Sequence, residues 1–351
     1  MINSNHRILS IVLWLAIFGI ITAMISNLHL HISRQNLEFG FDFLLQRSGF
    51  DIGDTWITHQ ANMPYWNAIL SGLVNTIIVA AFGIVIATLL GLVLAIMAKA
   101  PFVIIKSVSD VYINIFRNIP LLVQILFFHT LLINTLPEVN NAYTIGASYV
   151  TNRGIYLPTT SPWVLIPIIT LPYFFITRRI KTGVFLSVIS IGILYFSQWE
   201  HPVLNRFNLS GGGSFSIEWL ALVIALSLYT ASYIAEVMRG GFEAISYHQY
   251  ETARALNISY IKMMRHVILP QAKPIFLPAL LNQYLNLTKN ASLGIAIGYP
   301  DFFGVTAGTI LNQSGRALEM IFIVMVVYSL VNYFSITMIS KISHPQWKRH
   351  V

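Results

Sequence analysis

Long apolar runs alternate along this chain with short polar stretches. Ile8 to Leu28, Ala68 to Ala98, Asn118 to Pro137, Pro162 to Thr177, Thr182 to Ser197, Trp219 to Ala235 and Met320 to Ser340 contain no Asp, Glu, Lys or Arg. A helix needs about 20 mostly apolar residues to cross the hydrocarbon of a bilayer, so these runs predict roughly seven spans. An eighth, from about Pro274 to Gly298, is interrupted only by Lys289. The pattern predicts an all-α, polytopic membrane protein with about eight transmembrane helices. Between spans six and seven the pattern changes. Tyr247, Tyr250, Ala253, Arg254 and Asn257 recur at intervals of three and four, and Ile261, Met264 and Ile268 do so again, with polar residues between them. Two short amphipathic helices follow from this, with Asn257 and Ser259 placed as a helix stop and a new cap. Amphipathicity alone fits a helix pair lying on lipid equally well.

Composition agrees with the membrane reading: 56% of residues are hydrophobic and 10% charged, against about 25% charged in soluble domains. Lys and Arg accumulate in cytoplasmic loops. With the amino terminus inside, fourteen of the 21 basic residues fall on the cytoplasmic side and five outside, Arg117 and Lys289 being left within spans. Both termini are therefore expected in the cytoplasm. The net charge of +8 is accounted for by basic loops facing anionic lipid, which excludes nucleic acid as a partner. The first run, flanked by His6 and Arg7, is too long for a cleaved signal sequence and reads as an uncleaved span. Absence of cysteine excludes disulfides, cysteine-ligated clusters and thiol catalysis. His29 and His31 begin no metal-binding pattern, and no HExxH occurs. Acid–base catalysis needs paired carboxylates or a Ser/His arrangement, and the spans hold almost no acid, so the chain does not read as an enzyme.

Five regions are expected. Residues 1–67 hold the first span and an outer loop, whose aromatics and glycines (FGFDFLLQRSGFDIGDTW) fit a packed loop or, preferably, an interfacial helix. Residues 68–136 hold spans two and three. Residues 137–216 hold outer loops and spans four and five around the basic turn TRRIK, with Gly211 to Gly213 read as a flexible connector. Residues 217–342 hold spans six to eight and the loop 239–273, and 343–351 form a tail.

A few polar residues sit at membrane depth. Arg117 lies about ten residues past Lys106, roughly 15 Å along a helix, and is expected to face the bundle, paired with Asp110, with carbonyls or with a substrate carboxylate. Pro120 is expected to kink span three beside it. Lys289 is open to the same reading or to snorkelling outward, and Arg239 to snorkelling inward. Asn282, Gln283, Asn286, Asn290 and Ser292 bring polar groups into span seven, as interhelical hydrogen bonds or as the lining of a path. Pro270, Pro274 and Pro278 punctuate the return to the membrane.

The loop carries a more specific pattern. Glu251-Thr252-Ala253, then Asn257, Val267 and Leu269-Pro270 keep the spacing of the EAA loop of ABC-importer permeases. Thr252 stands for an alanine, and Asn257 for a glycine that Asn replaces best in a left-handed backbone. Around it lie Tyr233-Ile234-Ala235-Glu236, Arg239-Gly240-Gly241, Glu243-Ala244-Ile245 and Lys289-Asn290-Ala291-Ser292-Leu293, and upstream Phe116-Arg117-Asn118-Ile119-Pro120-Leu121-Leu122-Val123-Gln124. Together these resemble the polar and general L-amino-acid permeases of the histidine and glutamine uptake family, over about 68–136 and 217–342. The resemblance implies a five-helix ABC importer permease core made of spans two, three, six, seven and eight. It implies that Glu243, Glu251, Thr252, Ala253, Asn257, Leu269 and Pro270 form an ATPase-coupling loop. Arg117, Gln124, Asn282, Gln283, Lys289, Asn290 and Ser292 are its candidate translocation path. No GxxxxGK[ST] phosphate loop is present, so this chain is expected to bind no cofactor, with ATP and Mg on partner ATPase subunits. A second permease subunit in a heterodimer, an extracytoplasmic amino-acid-binding protein and the lipid of a bacterial inner membrane are the other implied partners. The alternative is an autonomous secondary transporter or channel, which wants intramembrane Asp or Glu that these spans lack.

Overall fold

A computed structural model of the chain describes residues 12–20, 22–24, 26–27, 40–159, 199–205 and 209–347. Eight main helices order it: α1 (Val12–Met24), α2 (Tyr65–Ala98), α3 (Val103–Asn118), α4 (Leu121–Thr135), α5 (Ile217–Glu243), α6 (Tyr247–Ala255), α7 (Leu269–Asn290) and α8 (Ala317–Trp347). Helices α2 and α5 and the Ala317–Phe334 part of α8 are long and apolar enough to cross a bilayer, and α3 with α4 forms a fourth such unit bent by 101°. The expected spans four and five, Pro162–Thr177 and Thr182–Ser197, lie outside the described residues.

Small residues let α2 and α5 approach closely. Gly83, Ala87 and Gly91 recur at four-residue spacing on the buried face of α2, and Ala221, Ala225, Ala231 and Ala235 are fully buried on α5. A Cβ on Gly91 would stand 2.6 Å from Ile234 Cγ2. In lipid, apolar side chains gain little by leaving their surroundings, so association rests on close van der Waals contact of this kind. Gly241 of α5 meets Phe276 of α7 in the same way, at 2.8 Å from its would-be Cβ.

The break between α3 and α4 falls at the start of the run Asn118–Pro137, at the proline expected to kink it, and is a full break of 101° rather than a kink within one helix. Ile119 is extended, at φ −87° and ψ 127°, because the residue before proline avoids the helical region. Pro120 then caps α4 at its start. Gln124 closes the break: its Nε2 donates to Phe116 O at 2.9 Å and to Ile119 O at 3.0 Å.

The described parts of 137–216, residues 137–159, 199–205 and 209–216, also differ from the expected loops. Strands β1 (Tyr143–Ile145), β2 (Ser148–Thr151), β3 (Gly154–Leu157) and β6 (Gly213–Ser216) form an antiparallel sheet in the order β1-β2-β3-β6, and β4 (Val203–Leu204) pairs with β5 (Leu209–Ser210). The glycine run is a tight turn rather than a flexible connector. Gly211 and Gly212 have φ of 77° and 65°, and a Cβ on Gly212 would lie 2.5 Å from Leu157 O. The helical class stands, with this small sheet added at one end of the bundle. Ser216 ends β6 and caps α5, accepting from Trp219 N. We call this the sheet end, and the opposite end, where α5 stops at Glu243, the loop end.

Residues 40–64 form a packed loop at the sheet end, not an interfacial helix. Phe43 is buried in a cluster with Val305, Ile310 and Met320, and His59 bridges Ser48 Oγ at 2.9 Å and Asn67 Oδ1 at 2.8 Å. The prolines of the return also fall elsewhere than expected. Pro270 sits in the first turn of α7, directly after the π-turn Met264–Ile268, whereas Pro274 and Pro278 lie inside the helix.

Candidate functional site

At the loop end, α6 and the start of α7 form a hairpin whose turn is set by one residue. Asn257 has φ 53°, a positive value for a non-glycine residue. Ile258 N donates to Ala253 O at 3.0 Å and Asn257 N to Arg254 O at 2.9 Å. These are the two bonds of a Schellman motif with Asn257 at the left-handed position, as the loop spacing anticipates. A one-turn helix, Tyr260–Met263, and a π-turn, Met264–Ile268, lead on into α7.

The hairpin is fastened to the bundle at several points. Ala253 is 3% exposed and joins the main core with Met263 and Met264. Tyr250 Oη donates to Phe242 O at 3.0 Å, and Tyr260 Oη to Ile96 O at 2.9 Å, linking the loop to the ends of α5 and α2. Burial pushes the Tyr260 hydroxyl up to about 12, so it stays a donor at neutral pH. Lys99 Nζ and Glu243 Oε1, 2.8 Å apart, tie α2 to α5 directly. Of the expected coupling residues, Glu251 and Thr252 face solvent, and Glu251 lies 3.3 Å from His248 Nδ1. Glu243, Ala253, Leu269 and Pro270 instead build the hairpin and its attachment. The hairpin exposes the large side chains Tyr247, Leu256 and Ile261, the last two 68% and 75% exposed. Spacing groups Tyr247 with Tyr250 and Ala253, and Ile261 with Met264 and Ile268; the structure buries Ala253, Met264 and Ile268 and leaves Tyr247 and Ile261 exposed, while Leu256 is not singled out by spacing.

Arg117 enters a charge network shared by α3 and α5. It lies 3.6 Å from Glu236 Oε2 and its guanidinium stands 5.2 Å from the centre of the Tyr233 ring. Arg239 pairs with Asp110 at 3.2 Å and also with Glu236. Asp110 thus binds Arg239 rather than Arg117, and Arg239 has carboxylate partners rather than a snorkelling position. Gln124, the other upstream candidate for the path, is 4% exposed and holds the α3–α4 break.

Helix α7 has two faces. Ala272, Phe276, Leu280 and Leu287 are buried, while Asn282, Asn286 and Lys289 are exposed along the opposite stripe. Gln283, Asn290 and Ser292 are half-buried beside it. At the sheet end, polar groups that the sequence reading passed over hold the turn after α7. Asn75 Nδ2 donates to Asp54 O and Pro300 O, both at 2.9 Å, and Thr76 Oγ1 accepts from Phe302 N at 2.9 Å. A polar pair inside the apolar run 68–98 was the signal for them. Asp301 is fully buried; its carboxylate caps the backbone of Phe303 and Gly304, and burial raises it to about 7. A cavity of about 480 Å³ opens beside this turn, lined by Asp51, Asp54, Tyr299 and Thr309 among others. Among the described residues no group of three or more His, Cys, Asp or Glu is placed to hold a metal ion.

A close-packed helical membrane bundle with a bent helix pair and a rigid polar hairpin describes a class of transport subunit, and comparison with known proteins agrees. The family described as binding-protein-dependent transport system inner membrane component matches residues 87–349, and the chain belongs to it. It is a family of membrane transport components rather than enzymes. The chain is 35% identical over 344 residues to the putative amino-acid ABC transporter permease protein YhdX of Escherichia coli, covering 90% of this chain and 88% of that protein. It is 34% identical to the general L-amino acid transport system permease protein AapQ of Rhizobium johnstonii, covering 92% and 86%. The crystal structure of an amino acid ABC transporter with histidines is similar at a TM-score of 0.50 and 23% identity, over 80% of this chain and 94% of that one. At that identity the likeness is one of fold.

Proposed function

We propose that this chain is a permease subunit of a bacterial ATP-driven importer for amino acids, with the hairpin 247–268 as the element that receives force from an ATPase. The observation that carries the reading is the combination of a braced hairpin with an unsatisfied apolar face. Tyr250, Tyr260 and Ala253 fix the hairpin to α2 and α5, while Tyr247, Leu256 and Ile261 are large exposed side chains on the same hairpin. A surface of this kind suits insertion into a cleft of a partner subunit. Displacement of the hairpin would move α2, α5 and α7 as a body, a rigid shift between inward-open and outward-open states.

The rest of the reading follows from orientation. The excess of Lys and Arg at the loop end supports a cytoplasmic loop and two cytoplasmic termini in an eight-span chain. The sheet end then faces the extracytoplasmic binding protein. Asn282, Asn286 and Lys289 present a polar stripe of α7 that this chain leaves uncovered, which supports a path shared with a second permease in a heterodimer. ATP and Mg belong to the ATPase pair. Amino acids as cargo are supported by the names of the relatives. The test is the double variant Leu256→Asp with Ile261→Asp, in the chain expressed with its partner subunits. Both side chains are exposed, so the melting temperature is expected to stay put while ATPase co-purification and amino-acid uptake fall at least tenfold. Normal co-purification and parental uptake would overturn the assignment.

A further inference from the structure

We infer that the stripe Asn282, Asn286 and Lys289 on α7 lines a water-filled cargo path, and that Lys289 is the residue that recognises the α-carboxylate of the amino acid passing along it. The inference rests on the permease reading above and deepens it by assigning the group that reads the cargo.

Three observations carry it. The first is depth. A Cβ on Gly241 would stand 2.8 Å from Phe276, and one on Gly294 2.8 Å from Leu222. Between these contacts α7 and its continuation Ala291–Ile297 cover nearly as many residues as α5 does, in the opposite direction, so the two run antiparallel and level. Leu222 is three residues inside Trp219, where the apolar run of α5 begins, and Lys289 is five residues deeper than Gly294. Lys289 therefore lies roughly 12 Å within the apolar zone, farther than its four-carbon stem can reach back to headgroups. Asn286 and Asn282 lie deeper still. The second is the lack of partners. The three residues stand at i, i+4 and i+7 on one exposed face. Among the described residues their side chains make no hydrogen bond, and no carboxylate stands within 4.0 Å of the Lys289 ammonium. Arg117 and Arg239, by contrast, are held by Glu236 and Asp110. Unpaired polar groups at this depth are costly against acyl chains, so they meet water or a polar ligand. The third is chemistry. An ammonium offers donors alone, whereas each amide offers donors and an acceptor. Neighbours on a helix face are about 5–6 Å apart, so an α-amino acid can rest its carboxylate on Lys289 and its ammonium on the Asn286 oxygen.

The absence of cysteine from the chain allows a direct test. The Asn286→Cys variant of the full-length chain is assembled in nanodiscs with cysteine-free forms of the subunits that co-purify. It is treated with an anionic and with a cationic methanethiosulfonate of similar size, with and without ATP. Gly240→Cys, at an exposed site with nothing within 4 Å of its would-be Cβ, reports that both reagents reach the chain. The Asn286→Cys thiol is expected to react with both. Its anionic-to-cationic rate ratio is expected to fall by roughly threefold or more when Lys289→Gln is added and to hold with Lys289→Arg, since a cation one turn away draws the anionic reagent. A millimolar mixture of the standard L-amino acids other than cysteine is expected to slow modification at least threefold. The corresponding amino-acid amides, which lack the carboxylate, are expected not to. A thiol at 286 closed to both reagents in both states, while 240 reacts, would overturn the path and place protein or lipid over the stripe. A rate ratio indifferent to Lys289→Gln, or equal protection by acids and amides, would overturn the carboxylate role. A closed stripe in a complex that still imports amino acids refutes this inference alone, whereas a parental complex that binds its ATPase and imports none of them would remove the permease reading instead.

Discussion

At the scale of single residues, the loop turns on Asn257. Its φ of 53° lies where side chains other than Gly, Asn and Asp strain against the backbone, at roughly 1–2 kcal/mol. The Asn257→Gly variant is therefore expected to melt at or slightly above the parental temperature and to keep its ATPase. Asn257→Val is expected to lose about 1–2 kcal/mol and to weaken ATPase co-purification, since the strained turn re-aims α6. Equal behaviour of the Val and Gly variants in melting and pull-down would show that the turn geometry does not matter. This residue was legible in the sequence, because its position between two amphipathic stretches asks for a stop that Asn supplies. Ala253 was legible as a motif position but not as a buried one. Nine residues of α6, with Tyr247, Tyr250, Ala253 and Ala255 as its apolar or aromatic members, do not say which face meets the bundle. Its near-complete burial at 3% exposure makes it a packing residue, and Leu256 and Ile261 carry the outward face.

At the scale of elements, the bundle depends on how closely α2 and α5 approach. The would-be Cβ of Gly91 already lies within 2.6 Å of Ile234 Cγ2 and 3.0 Å of Ala231 O. Gly91→Leu is expected to push the pair apart and cost about 1–3 kcal/mol, the usual effect of overpacking. Gly240 has nothing within 4 Å of its would-be Cβ, so Gly240→Ala serves as the tolerated control. Thermal unfolding in detergent checks both, and a Gly91→Leu chain as stable as the control would refute close contact as the source of cohesion. Apolar runs located α2 within three residues and the start of α5 within two, because helix and hydrocarbon thickness impose similar lengths, but stopped eight residues short of the polar end of α5 at Glu243. Pro120 was legible as a kink in span three, but neither the 101° size of the break nor the part of Gln124 in sealing it could be read from an apolar run. The sheet escaped too, since strands of two to four residues are too short to show period-two alternation.

At the scale of the whole molecule, the question is what makes the bent α3–α4 pair and two spanning helices move as one body. Two attachments compete for that role at the loop end. Lys99–Glu243 is short at 2.8 Å but exposed, with the Glu243 side chain 56% accessible, so water screens it. Glu236 is 27% accessible and serves Arg117 and Arg239 together, with Asp110 completing a chain of four charges across α3 and α5. Charged hydrogen bonds in a partly buried setting are worth about 1–3 kcal/mol, and removal of the shared carboxylate leaves two cations facing each other. Depth counted from the sequence treated the stretch from Lys106 to Arg117 as part of one rising span, whereas α3 is bent by 101° from α4. Partner choice was equally out of reach, because Asp110 and Glu236 are both within a few turns of either arginine on a linear reading. The geometry separates them. Glu236→Gln is expected to lower stability by about 1–3 kcal/mol and to reduce ATP-driven uptake even where the ATPase remains bound, since α3 loses its hold on α5. Lys99→Ala is expected to cost no more than about 1 kcal/mol and to leave uptake near the parental rate. Melting curves and vesicle uptake on the two variants decide the matter: if Lys99→Ala proves the more damaging, force passes along the α2–α5 edge and the charge chain on α3 is incidental.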